Sequence, residues 1–84
     1  MQKKHRVTLE KIFRRPTLGT IKWRDIEYLL LALGAEVEER SGSRIAVIFH
    51  DSVQIFHRPH PSPDTSKGAV VAVKLFLINN NIQP

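Results

Sequence analysis

Ala35-Glu36-Val37-Glu38-Glu39-Arg40, Arg44-Ile45-Ala46-Val47-Ile48-Phe49 and Val53-Gln54-Ile55-Phe56 are short runs parted by Ser41-Gly42-Ser43 and His50-Asp51-Ser52. Their spacing decides the fold. Runs this short, with β-branched and aromatic side chains and turn residues between them, read as three strands joined by hairpins. The first is polar on one face and suits a sheet edge. In the second, Ile45, Val47 and Phe49 share a face. In the third, Val53 and Ile55 lie opposite Gln54 and Phe56, with His57 next on the Val53 side.

Helical periodicity brackets the strands. Trp23, Ile26, Leu29, Leu30 and Leu33 form one stripe, with Arg24, Asp25, Glu27 and Tyr28 off it, and Gly34 stands where a left-handed residue would close the helix. Before it, Met1 to Arg6 reads as frayed, Thr8 as the cap of a short helix carrying Leu9, Ile12 and Phe13, and Pro16 as its stop. A last helix runs from about Lys67 to Asn79, and Ile82 folds back onto the core. Hairpins join consecutive strands, and helices must cover one face of so small a sheet. The expected fold is α+β, a two-layer sandwich in the order α-α-β-β-β-α with a three-stranded antiparallel sheet. Its α-β-β-β-α core has the order of a double-stranded-RNA-binding domain, an analogy of order alone.

Between the third strand and the last helix lies His57-Arg58-Pro59-His60-Pro61-Ser62-Pro63-Asp64-Thr65-Ser66-Lys67-Gly68. Its prolines fix φ and remove backbone donors, so it is a stiff extended loop. It carries two imidazoles, which can give and take protons near neutrality, and leads to a helix N-terminus, which favours phosphate. Phosphate binding and proton transfer are the chemistry to expect. His57 and His60 lie about 9–10 Å apart along an extended backbone, within reach of one phosphate. Against that stand plainer readings: His57 packed at a strand end, and His60 tied to a carbonyl.

The chain has 84 residues and a formal charge of +5, unevenly spread. Lys3, Lys4, Arg6, Lys11, Arg14, Arg15, Lys22 and Arg24 face a single acid, Glu10, in the first 24 residues. Asp25, Glu27, Glu36, Glu38 and Glu39 then reverse the sign. A basic arm with a basic loop is the charge pattern of a polyanion binder; a merely solubilising surface is the alternative. So short a chain makes one domain, residues 1–84, with a basic extension over 1–21 and a core over 22–82. With no cysteine there is neither a disulfide nor a thiolate metal site, and Asp51 and Asp64 follow no metal-ligand spacing near the histidines. No metal and no other cofactor is expected. No apolar stretch follows the basic start or is long enough for a bilayer, so a cytoplasmic protein without a membrane partner is the default. Trp23, Phe49 and Phe56 could stack on bases, but their positions in the pattern suit a core.

Trp23 to Leu30, Leu33-Gly34-Ala35, Ser41-Gly42-Ser43-Arg44, the His60-Pro61 loop with Lys67-Gly68, and the closing helix together resemble HicA-type toxins over about residues 22–82. The resemblance implies the toxin half of a bacterial toxin–antitoxin pair, an mRNA-cutting endonuclease neutralised by a HicB-type antitoxin. In that family a glycine and a serine lead into a catalytic histidine; here Gly42-Ser43 leads into Arg44. A guanidinium stays protonated and cannot be a general base, but it can hold a phosphate or steady a charged transition state. The candidate catalytic residues are therefore His60, His57 and Arg44. The candidate RNA contacts are Arg44, Arg58, Lys67, Lys11, Arg14 and Arg15. A non-catalytic RNA-binding module and a domain that binds only an acidic protein are the rival readings.

Overall fold

Turns as short as four residues (40–43) and two (50–51) make consecutive strands run antiparallel beside each other, and the computed structural model, which describes Met1 to Pro84, has that arrangement. The elements are α1 (Lys3–Phe13), α2 (Trp23–Ala32), β1 (Glu36–Glu39), β2 (Arg44–Phe49), β3 (Ser52–His57) and α3 (Lys67–Asn79). The sheet order is β1-β2-β3, with Glu39 opposite Ile45 and Arg44 opposite His57. Gly34 closes α2 at φ 100° and Gly42 turns the first hairpin at φ 69°, both in the left-handed region that disfavours a Cβ. The molecule is the small α+β domain that the strand spacing predicts.

Ile45, Val47, Phe49 and Phe56 form the inner face of the sheet. They join Trp23, Ile26, Leu29 and Leu30 of α2 and Val70, Val73, Phe76 and Leu77 of α3 in one cluster. Phe56 packs between Trp23 and Phe76, with ring centroids 5.8 and 6.1 Å away. The three aromatics weighed as base-stacking candidates are thus core residues. Leu9 and Ile12 belong to the same cluster, and Ile82 packs against it as expected.

One local expectation fails. Thr8 is not a cap: α1 starts at Lys3, inside the stretch expected to fray, and the buried Thr8 hydroxyl donates to the Lys4 carbonyl one turn back. Tertiary contact with α2 and α3 carries the helix past its own weak N-terminal signal. In β3 the apolar pair Val53 and Ile55 is 61% and 45% exposed, whereas Phe56 is buried. Alternation permits only one side to face inward, and the bulk of Phe56 between two aromatics wins.

Candidate functional site

The period of a strand sorts the charged residues at the end of β3. Phe56 points inward, so His57 points outward and Arg58, one residue on, turns inward again. His57 is directly opposite Arg44. Arg58 N–H donates to the Ser43 carbonyl at 2.9 Å, which makes 43–58 a bonded pair and leaves 44–57 the non-bonded pair, where side chains stand closest. Both Arg44 and His57 are exposed, so the reading of His57 as a packed ring does not hold. The Arg44 guanidinium also donates to the Ser41 hydroxyl at 3.1 Å, which leans it on the hairpin turn.

Arg58 lies on the other face and is engaged. Its Nε and Nη2 donate to the two oxygens of Glu27 at 3.1 and 2.9 Å, and its Nη1 donates to Glu39 at 2.9 and 2.7 Å. Trp23 Nε1 donates to Glu27 as well, at 2.9 Å. One guanidinium therefore ties α2, β1 and the start of the loop together. The hydrogen bonds from Arg58 hold the Glu27 carboxyl below its ordinary range, against the opposing effect of burial. Hydrogen bonds to Glu27 and then Glu39 raise Arg58 further above its ordinary value, so it is a permanent cation. As arranged, Arg58 anchors the loop and has few donors left for a phosphate.

The proline loop is pinned at its far end too. Trp23 N–H donates to the Pro63 carbonyl at 3.0 Å, Thr65 N–H to the Ile21 carbonyl at 2.8 Å, and Lys22 pairs with Asp64 at 2.6 Å. Between these two anchors the exposed His60 borders a groove of about 510 Å³ along the β3 edge, which His57, Ser62, Thr65 and Ser66 also line. Ser66 caps α3 by accepting from Ala69 N–H at 3.2 Å. The two imidazoles thus share one groove, with Arg44 across the ladder from the nearer of them.

The other candidates lie elsewhere. Lys67 is exposed, and its side chain runs against Gly19 in the loop before α2. Lys11 lines a separate groove between α1 and α2, and Arg14 and Arg15 are exposed just beyond α1. Glu27, Glu39, Lys22 and Asp64, the residues that fix the loop, escape a reading by motif. The signal for Arg58 was present, since alternation continued past Phe56 places it on the side of Glu39. No group of three metal-ligating side chains is gathered anywhere in the chain.

A family model described as the HicA toxin of bacterial toxin–antitoxin systems matches residues 23–75. No curated protein and no solved structure matches the chain. The matched stretch begins with α2 and ends inside α3, so it contains the whole sheet and the proline loop and omits α1.

Proposed function

Because the chain belongs to the HicA toxin family of bacterial toxin–antitoxin systems, we propose that it is an RNA-binding toxin that cuts mRNA without a metal. The observation that carries this reading is the shared groove of His57 and His60 with Arg44 opposite His57. One imidazole takes the proton of a ribose 2′-OH as its oxygen attacks the adjacent phosphorus. The other gives a proton to the departing 5′-oxygen, and the Arg44 guanidinium steadies the charge on the phosphorane oxygens. Residues 1–84 act as one domain, with 22–82 as the family core and 1–21 as a basic extension. A HicB-type antitoxin would silence it by laying carboxylates over the basic face around Arg44 and His60. No helix is long and apolar enough to cross a membrane, and action on mRNA places the protein in the cytoplasm.

Arg44 favours a second reading, since it stands where the family has a catalytic histidine: an RNA-binding module that no longer cuts. Single-turnover cleavage of a labelled RNA in chelator, with binding measured separately, decides between them. Under the toxin reading His60→Ala lowers cleavage on the order of 10²- to 10⁴-fold with little change in affinity. Arg44→Ala weakens both, because its charge acts in the bound complex and in the transition state. A wild type that binds RNA but cuts nothing, beside an Arg44→His variant that cuts, would establish the module. Cleavage by His60→Ala at the wild-type rate would make His60 a loop residue only.

A further inference from the structure

α1 lies outside the stretch matched by the family model, yet it is not a loose tail: Leu9 and Ile12 are buried in the common core. What it adds is a groove of about 530 Å³ against α2, lined by Lys3, Lys4, His5 and Lys11 of α1 and by Asp25 and Tyr28 of α2. Lys4, Thr8 and Lys11 share one stripe of the helix. Thr8 is buried, and the lysines emerge on either side of it, about 10 Å apart along the axis.

The charge at its start opposes the stability of α1, while Lys11 in the last turn suits the dipole. Its first turn holds Lys3 and Lys4 and no acid, at the positive end of the helix dipole, and its N-cap Gln2 makes no side-chain cap. Local choices that oppose the fold mark functional positions more often than chance placements. Across the groove Tyr28 is 56% exposed although it sits on a well-packed helix. Asp25 is the only carboxylate lining the groove, and Arg24 approaches it at 4.0 Å. Lys3 and Lys4, which an anion would relieve, with Lys11 farther along the groove and a tyrosine more than half exposed across it, match the demands of a single strand of RNA. Phosphates take the ammonium groups, and an unpaired base takes the ring.

We infer that the α1–α2 groove is a single-stranded RNA subsite, in which Tyr28 stacks on a base and Lys3, Lys4 and Lys11 hold the flanking phosphates. It rests on the reading of the chain as an RNA binder and adds to it a second surface, apart from the groove of His57 and His60. The strand it grips is the substrate's flank, so it sets affinity and leaves the reacting groups untouched.

The test is the binding of labelled oligoadenylate to the full chain across a salt series, with thermal melts to confirm folding. Tyr28→Ala should weaken binding on the order of 10- to 100-fold without changing the salt slope, and Tyr28→Phe should restore it. Lys4→Gln with Lys11→Gln should flatten the slope by about 0.7 per lysine. If the wild type binds RNA and all these variants bind equally well with the same slope, the groove is not the subsite, while the RNA reading stands. If the wild type binds no RNA at low salt, both readings fall. Binding of a polyglutamate peptide in place of RNA, weakened by the lysine variants, would reassign the groove to an acidic protein and overturn the inference.

Discussion

At the scale of single residues, Arg58 shows how one position can change the meaning of its neighbours. A cation on a stiff loop beside two histidines reads as a phosphate ligand, but its inward direction delivers it to Glu27 and Glu39. Its role is then to hold the backbone between His57 and His60. Turning the Glu27 carboxylate into an amide removes the charge from a half-buried, hydrogen-bonded pair and leaves Arg58 only the exposed Glu39 as an anionic partner, so Glu27→Gln should cost about 1–2 kcal/mol in urea unfolding at neutral pH. The sign of the pH dependence follows from Glu27. Its folded value lies below its ordinary one, so its contribution is complete above the ordinary carboxylate range and is lost as pH falls through the depressed value. Wild type and Glu27→Gln should therefore converge in stability as the solution is acidified. A gap that stays constant down to strongly acid pH would mean that the carboxylate charge contributes nothing there.

At the scale of elements, caps and turns are where identical substitutions part company. A Cβ at Gly34 or at Gly68 would meet no atom within 4 Å, so crowding plays no part at either. They differ in backbone: Gly34 has φ 100°, while Gly68 sits in the first turn of α3 with no positive φ. Gly34→Ala should therefore destabilise by about 1–2 kcal/mol, and Gly68→Ala should stabilise by about 0.5–1 kcal/mol. Equal shifts of the same sign in thermal unfolding would contradict that account. α1 carries a related warning. Because Leu9 and Ile12 are core residues, cutting off the basic arm removes packing along with charge, and charge is better tested by Lys→Gln changes.

At the scale of the whole molecule, helices cover one face of the sheet and the other is left with Val53 and Ile55 showing. The asymmetry is measurable within two consecutive side chains. Phe56→Ala should cost about 3–5 kcal/mol, a large share of the stability of so small a domain, because it empties the space between Trp23 and Phe76. Ile55→Thr should change stability by less than about 1 kcal/mol, since that side chain is already half in water. The reverse order in denaturant midpoints would mean that the sheet faces the other way.

Local chemistry was enough for the element order, the turns at Gly34 and Gly42, the stripe of α2 and the antiparallel β1-β2-β3 pairing. Each depends on spacing along the chain or on backbone preference within a few residues. The residues of the HicA resemblance were legible for the same reason, as they follow one another in order from Trp23 to the last helix. Which face of β3 turns inward was not legible. Val53 with Ile55 and Gln54 with Phe56 are rival alternations in one strand, and the choice falls to Trp23 and Phe76, distant in sequence. The partnership of Arg58 with Glu27 and Glu39, the groove shared by His57 and His60, and the persistence of α1 to Lys3 were likewise settled only in three dimensions. Ion pairs, grooves and helix ends of this kind are energies between segments, and they come into being only when packing brings those segments together.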